Sequence, residues 1–392
     1  MVSDRQLLYD LFRAYFDARK NKRNTINALS FEIDYERKLF ELYEEIKNET
    51  YEIGPSICFI IFKPVQREVF AADFRDRIVH HLIYSYISPF FERLFIYDSY
   101  SCREEKGTSC GIRRLNHFVR SCSQNYSRDC YILKIDIKGY FMSIDRNILY
   151  RKIEKTLQKF RNEASFDINF ILRLIRKVVF NDPTKNCVIR GKKSNWNGLP
   201  ENKSLFFARE NKGLPIGNLT SQLFGNVYLN DFDHFVKHRL GIRYYSRYVD
   251  DVVIVHQDKE FLKSIIPLLR RHLGNELSLE LHQNKIYLQH FSKGVNFLGT
   301  VIKPWRIYIQ NRIKASFYQK ICYWNSFLAK KQRQLAKEDA GQFLSSVNSY
   351  LGIMKHYNTY KLRKKMLTKN LSLHFWNYFY ISKNYGKLVA KN

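Results

Sequence analysis

Acidic residues nearly vanish from the last third of this chain: after Glu280 only Glu338 and Asp339 remain, while Lys and Arg continue to the C-terminus. A surface of mixed sign is excluded there, and a footprint for a polyanion is left in its place. Paired metal-binding cysteines are missing as well. The seven cysteines, at 58, 102, 110, 122, 130, 187 and 322, form no CxxC and are odd in number, so reduced thiols are expected rather than a disulfide framework. Cys102, Cys110, Cys122 and Cys130 are close enough in sequence to raise zinc, but their gaps fit no common finger. His234 and His238 stand at i,i+4 without the glutamate of a zincin helix, which makes them structural or surface histidines. No stretch reaches the roughly 18 apolar residues of a membrane span, and the N-terminus has no signal-peptide apolar core. A soluble, cytoplasmic protein with no membrane partner is expected.

What is present is a 392-residue chain with 45% hydrophobic and 16% aromatic residues, enough for two or three subdomains with a sizeable core. Its 66 Lys and Arg against 37 Asp and Glu give a formal charge of +29, a balance suited to nucleic acid. Helical spacing over residues 3–50 predicts two helices. Between Tyr51 and Phe70, two apolar runs broken at Lys63-Pro64 predict a strand hairpin from which Lys63 and Arg67 project. A helix follows to about Phe95, with Arg75 and Arg77 either available to a ligand or paired with Asp73 and Asp76 in a surface network. Further helices are expected at 111–123, 146–160 and 167–180. Residues 181–211 are polar and rich in Gly, Lys and Asn, a long loop or insertion that could touch nucleic acid.

Three carboxylates stand out. Asp250 and Asp251 interrupt two apolar, β-branched runs in Arg243-Tyr-Tyr-Ser-Arg-Tyr-Val-Asp-Asp-Val-Val-Ile-Val-His256, a tight hairpin with adjacent anions at its turn. Neighbouring anions on buried flanks need a counter-charge, and hard divalent cations held by oxygen supply one. Asp136 lies between Ile135 and Ile137 in a buried-looking strand, where an unpaired charge costs several kcal/mol. A salt bridge to Lys134 or Lys138 is the weaker alternative, those lysines being read as occupying the other face of the strand. Gly213, Pro215 and Gly217 then make a turn into a helix, which lets backbone approach a ligand closely.

Asp136 followed by Phe141, then Leu214-Pro-Ile-Gly-Asn-Leu-Thr-Ser-Gln222, then Tyr248-Val-Asp-Asp251 resembles motifs A, B and C of a reverse transcriptase palm, in order. Lys63 and Arg67 ahead of Asp76-Arg77 resemble the fingers segment, Lys285 in Leu281-His-Gln-Asn-Lys-Ile resembles the motif D lysine, and Phe297-Leu-Gly299 resembles the primer-grip turn. The resemblance spans residues 50 to 300. It implies an α+β right-hand polymerase: N-terminal helices and fingers over 1–130, a palm of antiparallel sheet plus helices over 131–303, and a basic, all-α thumb over 304–392. The aromatics of that last segment are read as core in preference to stacking platforms.

The resemblance also implies RNA-directed DNA synthesis by two-metal nucleotidyl transfer, with Mg²⁺, or Mn²⁺ in its place. Asp136 and Asp250 would bridge the ions, the Ile137 carbonyl would add a ligand, and Asp251 would be more peripheral. Lys63 and Arg67 would hold the triphosphate, Lys285 would protonate pyrophosphate, and Ile216, Gly217 and Gln222 would line the nucleotide. Phe141 would exclude a 2′-hydroxyl, with a plain core aromatic as the alternative. Many reverse transcriptases carry Gln before the second motif B glycine and Pro after the serine; here Ile216 and Gln222 occupy those places. Ile-Gly-x-x-x-Ser-Gln resembles the enzymes of diversity-generating retroelements, in the group II intron-like bacterial superfamily. That implies a bacterial or phage-encoded enzyme of mutagenic retrohoming that copies a template RNA with errors opposite adenine. Its partners would be the template RNA, the RNA/cDNA duplex, dNTPs and a small basic accessory protein. A polymerase of a phage-defence system and an RNA-binding scaffold with the same fold are the competing readings.

Overall fold

The computed structural model describes residues 4–20, 25–63, 65–332 and 334–391. Within them the chain forms two compact units, one from 1–111 with 133–288 and the other from 112–132 with 289–392. The units therefore cut across the three consecutive segments expected from the sequence.

The first unit begins with three helices, α1 (Asp4–Arg19), α2 (Ile26–Glu32) and α3 (Tyr35–Lys47), where two were expected. The chain leaves helical geometry at Asp34 (φ −146°) and restarts, with Leu39, Leu42, Tyr43 and Ile46 buried along one stripe of α3. The expected hairpin follows as antiparallel β1 (Ser56–Ile61) and β2 (Arg67–Ala71); Pro64, at the break between the runs, lies outside the described residues. Asp73 caps α4 (Phe74–Glu92) by accepting from the Arg75 N–H. Arg75 pairs with Glu45 and Asp76, and the buried Asp76 also accepts from the Tyr51 hydroxyl at 2.8 Å and the Gly54 N–H at 3.0 Å, so Arg75 is paired in a network, with Glu45 in place of Asp73 and with Asp76 buried instead of at the surface. Next come α5 (Thr108–Cys122), β3 (Tyr131–Ile135), the short α6 (Tyr140–Ser143), α7 (Arg146–Lys159) and α8 (Ile168–Phe180). Asp145 and Asp167 each accept two backbone N–H groups at the starts of α7 and α8, caps worth about 1 kcal/mol apiece.

The stretch 181–211, expected as a long loop, is tied down. In it β4 (Cys187–Ile189) joins β1 as a parallel third strand, giving the order β2-β1-β4. The stronger anchor is Glu68 of β2, which is 1% exposed and accepts from Trp196 Nε1 at 2.7 Å, Ser204 Oγ at 2.8 Å and the Leu205 N–H at 2.6 Å. Three neutral donors stabilise the buried anion, and the anion in turn fixes the path of the insertion.

After α9 (Leu219–His234), a helix buried on nearly every face, come β5 (Tyr244–Tyr248), β6 (Asp251–His256), α10 (Lys259–Leu277) and β7 (Tyr287–His290). The strands form one sheet in the order β5-β6-β3-β7, so β3 and β6 lie side by side at its centre.

In the second unit β8 (Val295–Phe297), β9 (Thr300–Lys303) and β10 (Arg306–Ile309) form an antiparallel meander. Most of α5 and the residues that follow it, 112–132, belong here, where Tyr126 stacks on Phe291 at 5.8 Å and meets Trp305 edge-on at 4.6 Å. Phe317, Ile321, Trp324 and Leu328 of α11 (Asn311–Lys330) and Phe343, Val347, Leu351 and Met354 of α12 (Lys337–Met354) are buried in one core, with Phe375 stacked on Phe343 at 4.3 Å. Those aromatics are core, while Tyr318 and Tyr323 are exposed. Helix α13 (Tyr360–Lys365) follows, and the expected helical segment ends in an added strand pair, β11 (Phe379–Ile381) with β12 (Leu388–Ala390). Phe379 and Leu388 bury their side chains there.

Replacing Glu68 by Ala leaves three donors without their acceptor, at a cost of about 2–4 kcal/mol locally. Limited proteolysis should then cut within 190–212 at least several-fold faster than in the wild type.

Candidate active site

Pairing of Tyr248 with Asp251 leaves Val249 and Asp250 as the two turn residues between β5 and β6. Val249 sits at φ 56°, a left-handed position that two-residue hairpins usually give to Gly and that costs a β-branched residue about 1–2 kcal/mol. The turn presents Asp250 at the hairpin tip and Asp251 at the first position of β6. Asp136 directly follows β3, the neighbour of β6. An isolated bridge, Ile137 to Leu281, continues the edge beyond it. Its bonds run from the Lys138 N–H to the Glu280 carbonyl and from the His282 N–H to the Asp136 carbonyl, both 2.9 Å, and so do not use the Ile137 carbonyl.

Two adjacent strand ends thus carry three carboxylates. Burial, then the charges of Asp136 and Asp251, push the Asp250 carboxyl up to about 6, with Lys285 pulling the other way. Two lysines answer the outer charges: Lys285 Nζ lies 2.8 Å from Asp136 Oδ2, and Lys134 Nζ lies 3.0 Å from Asp251 Oδ1. The expectation that Lys134 occupies the other face is corrected by this pair, because residues two apart on a strand share a face. Lys138 pairs with Glu280 at 3.1 Å. Three hard oxygen donors at neighbouring strand ends are chemically suited to Mg²⁺. Among the described residues, no group of three or more His, Cys, Asp or Glu is gathered closely enough to hold a metal ion.

A second cluster surrounds the motif B turn. Ile216 and Phe141 pack, partly buried, against Cys58, Phe70, Met142 and Leu205. The Ile216 carbonyl accepts from the Phe70 N–H at 2.8 Å, and Asn218 Oδ1 accepts from the Ala72 N–H at 3.0 Å, which sews the turn to β2. Gly217 has φ 131°, and a Cβ there would stand 2.9 Å from the Phe70 carbonyl oxygen; only glycine fits this approach. Phe141 also lies beside Gly225 of α9, where an added Cβ would stand 3.4 Å from its ring. The structure thereby brings Phe141, Ile216 and Gly217 together with β2, whose first residue is the exposed Arg67. Lys63 and Gln222 are exposed too. Among the described residues, no hydrogen bond or ion pair joins Lys63, Arg67 or Gln222 to the aspartates. His234 and His238 stack at 5.2 Å, with His234 Nε2 on the Leu94 carbonyl at 2.9 Å, a structural arrangement.

Two residues escaped sequence reasoning. Lys134 was legible from its i−2 position on the strand of Asp136. Arg247, fully buried in β5 against Asp233, was marked only by being a charge inside an apolar strand.

The family model for reverse transcriptase (RNA-dependent DNA polymerase) matches residues 66–302, a span that holds the three aspartates and, apart from Cys58, the motif B cluster. The chain belongs to the reverse transcriptase family. Its mixed α+β architecture of antiparallel sheets and helices is that of the family. Protein YkfC of Escherichia coli (strain K12) is 23% identical to this chain over 257 residues, 57% of this chain and 60% of that protein. Two solved structures are similar in fold at 12% identity and a TM-score of 0.47. Apo telomerase from Candida tropicalis is matched over 83% of this chain and 61% of that one. Telomerase from Candida albicans, in complex with a TWJ fragment of telomeric RNA, is matched over 86% and 62%. The chain spans about six-tenths of the length of these relatives.

A carboxyl raised in the folded state holds its proton more tightly there than in the unfolded chain. The metal-free protein therefore loses stability as pH rises from about 4 through about 6, the Asp250 window. Asp250→Asn should abolish that loss: in chelator its unfolding free energy, from denaturant titration, should exceed the wild type's at pH 7–8 by on the order of 1–2 kcal/mol once solvent screening is allowed for, and equal it near pH 4.

Proposed function

We propose that this chain is an RNA-directed DNA polymerase that extends a primer along a template RNA by nucleotidyl transfer, with fingers in 1–130, palm in 131–303 and thumb in 304–392. The observation that carries the reading is the coupled set Asp136, Asp250 and Asp251 on the ends of β3 and β6, inside the family match. When bound, two Mg²⁺ ions supply charge neutralisation to the primer 3′-oxygen and the triphosphate. Asp136, Asp250 and the Ile137 carbonyl would hold them, with Asp251 at the periphery.

The chain's own residues do the remaining work. Exposed Lys63 and Arg67 offer point and forked positive charge to a triphosphate. Phe141, pressed between α9 and the motif B cluster, presents a rigid ring beneath the sugar, which favours dNTPs. Gly217 lets the backbone of the turn approach the nucleotide, with Gln222 one turn further along the chain. Lys285, already donating to Asp136 at 2.8 Å, is placed to pass a proton to departing pyrophosphate. The basic surface of 304–392 suits sequence-independent contact with template RNA and the RNA/cDNA duplex.

The finer reading is error-prone synthesis in a diversity-generating retroelement, with a small basic accessory protein as partner. Its support is Ile216: the aliphatic side chain is taken up by an apolar cluster, so the position beside Gly217 offers no side-chain amide to orient a base.

Primer extension on an RNA template with dNTPs and Mg²⁺ should give DNA, and Asp250→Asn should reduce the rate on the order of a thousandfold or more; synthesis at the wild-type rate by that variant would defeat the proposal. Sequenced products of the wild type should show errors concentrated opposite template adenine. Ile216→Gln should lower that class of error several-fold, and an unchanged spectrum would count against the role given to this side chain.

A further inference from the structure

Arg247 lies in the middle of β5 with none of its side chain exposed, and neither is any of Asp233 on α9. A charge in such a place persists only when it is paired and its donors are satisfied. Its Nε donates to Asp233 Oδ1 at 2.7 Å and Nη2 to Asp233 Oδ2 at 2.6 Å, a two-point contact that Tyr245 completes by donating its hydroxyl to the same carboxylate. Nη2 also reaches Ser99 Oγ at 3.3 Å, and Nη1 reaches Asn226 Oδ1 at 3.3 Å. Asn226 and Asp233 are seven residues apart on α9, so two helical turns place both acceptors on one face. The backbone of Arg247 is held by the same 98–100 segment as Ser99: its N–H donates to the Asp98 carbonyl at 3.0 Å, and its carbonyl accepts from the Tyr100 N–H at 3.1 Å.

One contact in this network is not needed to neutralise the charge. Nη1 donates to the carbonyl of Val249, two residues further on, at 2.9 Å. Val249 is the turn residue at φ 56°, and the carbonyl so held belongs to the peptide unit that leads directly into Asp250. We propose that Arg247 is a positioning residue for nucleotidyl transfer: anchored on Asp233 and Asn226 of α9, it clamps the Val249 carbonyl and so keeps the left-handed turn that aims Asp250 and Asp251. The inference rests on the polymerase reading above. Its physical content is separate: a β-branched residue does not hold a left-handed conformation unless its surroundings over-determine it. Arg is the side chain that can grip a carboxylate with one edge and a carbonyl with its other nitrogen. Lys, with one ammonium, would keep the pair with Asp233 and release the turn.

The test compares wild type, Arg247→Lys, Val249→Gly and the double variant, each assayed for single-nucleotide extension and for hydrogen exchange of the amides at 248–252. Arg247→Lys should lower kcat on the order of ten- to a hundredfold while leaving the KM for dNTP within about twofold, and should speed exchange at the turn but not in α9. Glycine adopts positive φ without strain, so Val249→Gly should restore kcat by about threefold or more in the Arg247→Lys background and bring no gain in the wild type. Unchanged kcat in a folded Arg247→Lys protein, or an equal effect of Val249→Gly in both backgrounds, would overturn the proposal. Should Arg247→Lys not fold, Arg247→Met combined with Asp233→Asn removes both buried charges together and is read in the same way. A wild type that extends no primer would defeat the polymerase reading alone; exchange at the turn then decides the clamp, faster exchange in the variant upholding it and unchanged exchange overturning it.

Discussion

Three carboxylates at the ends of two neighbouring strands repel one another, and much of the first unit can be understood as holding that repulsion in place. Asp136 directly follows β3, Asp250 stands in the turn before β6, and Asp251 opens β6. Side-by-side pairing of these strands puts the charges in mutual range, where burial and Coulomb repulsion drive the Asp250 carboxyl up to about 6. A cluster of that kind is stable only with compensation. Lys285 and Lys134 supply it to the outer two members, which leaves Asp250, between them in electrostatic terms, as the group most in need of a cation.

The same economy of buried charge recurs away from the aspartates. Glu68, in no ion pair among the described residues, is held by an indole N–H, a hydroxyl and a backbone N–H, and these bonds tie a polar insertion to β2. The motif B turn is stitched to that strand by the Ile216 carbonyl and the Asn218 side chain, in an approach that only a glycine at 217 permits. Phe141 and Ile216 then share one apolar cluster. Position, not reactivity, is what these contacts provide, and phosphoryl transfer is chemistry in which position and electrostatics do most of the work.

Much of this was legible in the chain. Alternation around Asp250 and Asp251 announced a hairpin, the β-branched run ending at Asp136 announced a buried strand, and Leu-Pro-Ile-Gly-Asn announced a turn entering a helix; all three elements are present. The order of the motifs was enough to recognise the family. Less legible were the helix break at Asp34, the strand pair closing the C-terminal segment, and the ordered path of 181–211. In the last case the deciding residue, Glu68, meets partners 128 to 137 positions away, and no local pattern carries that information. Lys134 was a different matter, since the period of a strand places i−2 and i on one face.

Sequence alone determined the local elements, the net charge of +29 and the identity of the acidic side chains, because periodicity, turn chemistry and titratable groups are properties of short stretches. Tertiary structure decided which charges answer which: Lys285 with Asp136, Lys134 with Asp251, Arg247 with Asp233 and the carbonyl of Val249. Those pairings depend on strand order and on the packing of α9 against the rest of its unit. Strand order and helix packing are set by burial summed over the whole unit, and no single segment of the chain contains that sum.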